Sequence, residues 1–178
     1  ISSYSGTFDG AGHTITLNYD FQGKQTGMFY NFAGTVKNLI VGGSIRASFK
    51  NCAALAAWNW SDNAQFEKCF CIVSIDVDYS ANASNAGFVG YSARNCTFTN
   101  CSTTKKDGAG LNVYIFESAS NPLYNNTVPS KLYLNNCSFV GCTSGRNGGA
   151  VRSLAVDTEI VDCTFTNTSA IGQDAYRS

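Results

Sequence analysis

The feature that most constrains this chain is a short unit that it repeats. The clearest copy is Asn136-Cys137-Ser138-Phe139-Val140-Gly141-Cys142, followed at once by Gly148-Gly149-Ala150-Val151. Side chains alternate along a strand, so Cys137 and Phe139 share a face. A glycine-rich corner then leads into a second short strand. Variants recur at Cys96-Thr97-Phe98-Thr99-Asn100-Cys101, at Cys163-Thr164-Phe165-Thr166-Asn167-Thr168 and, more loosely, at Cys69-Phe70-Cys71. A unit this small cannot bury its own apolar face, so it must stack on its neighbours.

Aligning the first strand of each unit on Ile15, Leu39, Cys69, Cys96, Cys137 and Cys163 gives steps of 24, 30, 27, 41 and 26 residues. Four of these fit one coil of a parallel β-helix with loops of variable length. Second strands align at Gly27-Met28-Phe29-Tyr30, Ala53-Ala54-Leu55-Ala56, Ala86-Gly87-Phe88-Val89, Gly110-Leu111-Asn112-Val113 and Gly148-Gly149-Ala150-Val151. The reading is an all-β, right-handed parallel β-helix of about six coils, one domain over residues 1–178. The long step contains both prolines of the chain, Pro122 and Pro129, and marks residues 111–134 as an excursion out of the coil. Neither end reads as a polar cap, so the chain is expected to be a segment of a longer or processed protein.

Composition narrows the function classes. Charged residues make up 13%, with 12 basic against 12 acidic, which offers no basic footprint for nucleic acid and no polybasic membrane patch. No apolar run reaches the length needed to cross a bilayer. Eight cysteines in 178 residues exceed cytosolic habit and favour an extracellular or cell-surface location. Cys69 and Cys71 are spaced C-x-C, and the one histidine, His13, is remote in sequence, so a zinc site is not expected. In stacked coils Cys69, Cys96, Cys137 and Cys163 form one column, and Cys101 and Cys142 a second. Rungs about 4.8 Å apart suit disulfides and a ladder of buried thiols equally well.

Seven Asn-x-Ser/Thr sequons occur, at Asn59, Asn82, Asn95, Asn100, Asn125, Asn136 and Asn167. They are candidate glycosylation sites. Three of them carry Cys in the middle position, so the repeat itself accounts for part of their number.

Gly6-Thr7-Phe8-Asp9-Gly10-Ala11-Gly12-His13-Thr14-Ile15, Thr26-Gly27-Met28-Phe29 and Gly34-Thr35-Val36-Lys37-Asn38-Leu39 together resemble the GLUG-type repeats of secreted and surface proteins. Ala86-Gly87-Phe88-Val89-Gly90-Tyr91 with Asn95-Cys96 follows the same pattern. The C-terminal half is similar to polymorphic outer-membrane-protein repeats, which pair F-x-x-N with G-G-A-[ILV]. Gly148-Gly149-Ala150-Val151 matches the second motif, whereas Cys101, Cys142 and Thr168 replace the asparagine of the first. The resemblance implies a pectin-lyase-like β-helix in a surface or adhesive protein. Its partners would be proteins, through self-assembly or other surface proteins, or glycans.

Enzymes share that architecture, so catalytic groups were sought. Asp76 and Asp78 lie two apart on one strand face, a spacing that could serve hydrolysis or, with further oxygen ligands, calcium. Ile75 and Val77 alternate with them, and a solvated strand face accounts for the pair. His13 sits in a corner motif, and no nucleophile elbow appears. Trp58 and Trp60 share a face and could stack on sugar rings, or fill the core. No cofactor motif is present and catalysis is not expected. The leading expectation is a structural or adhesive solenoid that presents loops to a partner or assembles end to end. A carbohydrate-binding module, or a polysaccharide lyase or hydrolase, is the rival.

Overall fold

The computed structural model describes residues 1–21, 27–47, 52–58, 63–77, 88–89, 92–104, 107–114, 130–154 and 156–172. For Phe21, Ala57, Trp58, Val77, Val89 and Tyr114 only the backbone is described. These residues form a parallel β-solenoid whose strands stack on three faces, with no helix.

The first face is a six-stranded sheet made of Thr7–Asp9, Thr35–Lys37, Gln65–Glu67, Ser92–Arg94, Lys131–Asn135 and Asp157–Val161. The second begins with three long strands, Thr14–Phe21, Ile40–Ala47 and Phe70–Val77. It continues as split pairs, Thr97–Thr99 with Ser102–Thr103, Ser138–Val140 with Thr143–Ser144, and Thr164–Thr166 with Ser169–Ala170. The third face is two three-stranded sheets, one of Ser3–Tyr4, Phe29–Phe32 and Ala56–Trp58, the other of Phe88–Val89, Leu111–Tyr114 and Val151–Leu154. Every recorded pairing is parallel.

The solenoid closes about four turns, slightly fewer than the six coils read from the spacing. Of the 111–134 excursion, Leu111–Tyr114 and Lys131–Asn135 are strands of the solenoid. Residues 115–129, with Phe116 and Tyr124, lie outside the described residues.

Two corners explain how the chain turns. Between the first and second faces, Asn38, Lys68, Asn95, Asn136 and Asp162 all have φ between 49° and 53°. One left-handed residue breaks the strand and re-aims it, and asparagine tolerates that conformation better than most residues. The stacked asparagines also bond to each other, Asn136 Nδ2 donating to Asn95 Oδ1 at 2.7 Å. Further along, Asn100, Gly141 and Asn167 (φ 51°, 63° and 52°) split the second face in the last three coils. At Gly141 a Cβ would lie 2.4 Å from Asn100 Oδ1, so any side chain there would have to displace the Asn100 amide.

The register corrects two alignments made from spacing. Thr14 pairs with Ile40, which puts His13, not Ile15, beside Leu39, while Ile15 stands in register with Val41. The cause is a longer first corner: four residues separate Asp9 from Thr14, against two between Lys37 and Ile40. On the third face Phe88 pairs with Leu111, one residue away from the glycine-based alignment, and Leu111 with Val151, two residues away.

The core is a set of in-register columns. One runs Val41, Cys71, Phe98, Phe139, Phe165. Aromatic rings form a spine along the axis, with centroid separations of 4.9 Å for Tyr4–Phe29, 5.0 Å for Phe29–Phe32 and 5.9 Å for Phe32–Phe66. It continues at 4.5 Å for Phe66–Phe88, 5.2 Å for Phe88–Phe98, 4.7 Å for Phe98–Phe139 and 5.0 Å for Phe139–Phe165. The last two contacts are nearly coplanar stacks, at 2° and 3°. Phe139 is fully buried between two rings, whereas Phe165 ends the stack half-exposed. Phe139→Ala should therefore cost about 3–5 kcal/mol, and Phe165→Ala less than half as much. Urea denaturation midpoints at unchanged slope would measure both.

Candidate functional site

The strand alternation that builds the core also decides which polar groups face water. Asp76 lies on the exposed side of Phe70–Val77, with its carboxylate accepting a 2.7 Å hydrogen bond from Thr104 Oγ1 of the next coil. Arg46 stands in register beside it. Asp78 lies outside the described residues. Among the described residues no group of three or more His, Cys, Asp or Glu is placed to hold a metal ion.

His13 is exposed at the first corner, where its backbone N–H donates to Gly10 O at 2.8 Å and its carbonyl accepts from Ile40 N at 3.1 Å. Its backbone thus performs a corner function. Trp58 is in register with Asn31, which in turn pairs with Ser3. Beside that column is an open hollow of about 210 Å³ lined by Ser3, Tyr4, Ser5, Asn31 and Ala33. The side chain of Trp58 and all of Trp60 lie outside the described residues. Of the sequon asparagines, Asn95, Asn100, Asn136 and Asn167 are exposed and occupy left-handed corner positions. Asn59, Asn82 and Asn125 lie outside the described residues.

The cysteines give the most developed chemistry. Cys69, Cys96, Cys137 and Cys163 each immediately precede a strand of the second face, and those strands are adjacent and in register. Cys101 and Cys142 stand together one bend later. All eight cysteines are free thiols. Of the two alternatives that the spacing allows, the structure thus adopts the thiol ladder and no disulfide. Pairing is replaced by weak S–H donation to carbonyls: Cys69 Sγ to Val36 O at 3.5 Å, Cys137 Sγ to Ala93 O at 3.3 Å and Cys142 Sγ to Phe98 O at 3.5 Å. Cys101 Sγ lies 3.6 Å from Cys71 Sγ.

Within the column the thiols polarise one another. The neighbouring Cys137 and Cys69 thiols, with burial, raise the pKa of Cys96 strongly. Hydrogen bonding with Cys96 lowers that of Cys69, and lowers that of Cys137 to about 7. Burial raises Cys163, the outermost member.

Sequence reasoning missed the one buried carboxylate among the described residues. Asp107, 3% exposed, accepts hydrogen bonds from Asn147 N at 3.2 Å and Asn147 Nδ2 at 2.9 Å. Its Oδ2 lies 3.2 Å from Arg152 Nε and 3.7 Å from Arg146 Nη1. The signal was present in the sequence: Asp107-Gly108 and Asn147-Gly148 are one turn in successive coils, with both glycines at positive φ. Gly108 N donates to Asn147 O at 2.7 Å across that turn. Nearby, Asn112 is in register with Arg152 and is buried with neither amide atom hydrogen-bonded. Two guanidinium groups and an amide satisfy the Asp107 carboxylate, so the cluster reads as a coil-to-coil clamp.

Set against known proteins, the chain matches no family model, no curated protein and no solved structure.

Asp107→Ala removes the acceptor of both Asn147 hydrogen bonds and the charged contacts to Arg152 and Arg146, and should cost about 1.5–3 kcal/mol. Asp76→Ala, at an exposed hydrogen bond, should change stability by about 0.5–1.5 kcal/mol at most. Thermal or urea unfolding of the two variants side by side checks the contrast.

Proposed function

We propose that the chain is a structural solenoid of extracellular or cell-surface proteins, of the GLUG-type and polymorphic outer-membrane-protein-like kind, and that it works by assembling end to end. What supports this reading is the apolar rung that the described residues leave exposed at Asp157–Val161 and Thr164–Thr166. Leu134 and Phe139 are 0% exposed, yet Ile160 and Phe165, the next members of the same columns, are 47% and 44% exposed. Among the described residues the strands that carry them, Asp157–Val161 and Thr164–Thr166, pair on one side only. Such an edge is a template for a further parallel strand.

The first rung offers a surface of matching kind. Phe8 belongs to the column that ends in Ile160, and Ile15 to the column that ends in Phe165; both are half-buried. A second copy stacked head to tail would continue the ladder in register, set Phe8 on Ile160 and set Ile15 on Phe165. The location outside the cytosol rests on the repeat resemblance and on the exposed sequon asparagines at the corners. The reduced cysteines add nothing to it.

Sedimentation velocity over a concentration series tests assembly. The expected result is concentration-dependent oligomers that disappear when Ile160→Asp and Phe165→Asp are combined, with the near-neutral surface otherwise unchanged. A chain that stays monomeric throughout the series would sink the proposal.

A further inference from the structure

Seven of the eight cysteines are buried, and Cys163 alone reaches solvent. It is the last member of the thiol column, directly abreast of Cys137. Ser138 and Thr164 pair in register, Thr164 N donates to Cys137 O at 2.9 Å, and Cys137 N donates to Cys163 Sγ at 3.4 Å. Neighbouring parallel strands place such residues about 4.8 Å apart, inside the Cα range that a disulfide spans. One of the two sulfurs can be reached from outside, and the other stands behind it.

We propose that Cys163 and Cys137 form a thiol-exchange site, in which Cys163 takes up a small disulfide such as oxidised glutathione and Cys137 converts the adduct into a cross-link between the last two coils. In the first step the Cys163 thiolate attacks one sulfur of the small disulfide. A Cys163 mixed disulfide forms and one small thiolate leaves. In the second step the Cys137 thiolate attacks Cys163 Sγ, forming the Cys137–Cys163 bond and expelling the second small thiolate. Two protein thiols are oxidised, one small disulfide is reduced to two thiols, and the two protons pass to the leaving thiolates or to solvent.

Local geometry supports both steps. Burial raises the Cys163 thiol, and the Cys137 N–H that points at Cys163 Sγ offsets part of that rise by favouring negative charge on the sulfur. The Cys96 thiol first, with backbone donors assisting against burial, lowers Cys137 to about 7, which eases its deprotonation in the second step. For the exchange Cys163 Sγ must release Val161 O at 3.2 Å, and Cys137 Sγ its donation to Asn135 O or Ala93 O, each at 3.3 Å. These are weak S–H donations. Cys71 and Cys101, with sulfurs only 3.6 Å apart, make the internal control: both are fully buried, so a small disulfide has no route to them. A copy stacked on this rung would cover Cys163, so the site is open only in the unassembled chain.

The test is incubation of the folded full chain with excess oxidised glutathione, followed by alkylation of the remaining thiols in denaturant and mass mapping of the peptides. Two of the eight thiols should be lost, in a single Cys137–Cys163 disulfide that dithiothreitol reverses. Cys137→Ser should stop the reaction at one glutathionyl group on Cys163, and Cys163→Ser should leave Cys137 free. Each variant is first checked for an unchanged urea midpoint; one that has lost stability is replaced by the corresponding Cys→Ala variant. The proposal is overturned if the wild-type chain keeps all eight thiols, if the Cys137 variant gains no adduct, or if Cys71 and Cys101 react as fast as Cys163.

Discussion

In-register parallel stacking is the constraint on which everything else in this molecule depends. Backbone hydrogen bonds run along the solenoid axis, so each side chain has its counterpart from the next coil directly above it. A residue is therefore admitted to a column only if it packs on itself or on something similar. Phenylalanine meets that demand well. Burying one ring is worth about 1.5–3 kcal/mol, and an offset ring pair adds about 0.5–1.5 kcal/mol more. The continuous spine from Tyr4 to Phe165 thus outweighs any single polar contact on the surface. Salt bridges between rungs, such as Lys37–Asp9 at 3.3 Å, are exposed and secondary.

The same rule explains the polar columns. Asparagine at a left-handed corner costs little strain and, when stacked, hydrogen-bonds its neighbour, so Asn95 and Asn136 serve the turn and the stack together. Cysteine is small and apolar enough to fill the narrow column beside that corner while its thiol donates to a carbonyl. Asp107 is the exception that needs compensation. A lone buried carboxylate would not survive, and the next coil supplies Arg146, Asn147 and Arg152 around it.

What the sequence made legible was whatever repeats at coil spacing. The alternating apolar residues, the C-x-F-x-x-C unit and the glycine punctuation were enough to read stacked parallel strands and the two cysteine columns. Register slipped where corners differ in length, as at His13 against Leu39, because spacing alone cannot tell an extra corner residue from an extra strand residue. The Asp107 cluster escaped notice because its members come from two coils about 40 residues apart, and each alone reads as a turn residue or a surface arginine. Asp76 drew attention as half of an acidic pair, yet what the structure shows is its bond to Thr104 on the neighbouring coil.

By itself the sequence determined the class of fold and the composition of each column, since these follow from side-chain period and from which residues can stack on themselves. Tertiary structure alone decided register, thiol state and exposure. Those depend on where each coil ends and on what lies beyond it. Cys163 and Phe165 repeat the pattern of Cys137 and Phe139 almost letter for letter. Among the described residues no further rung covers them, so one pair is core while the other is partly exposed.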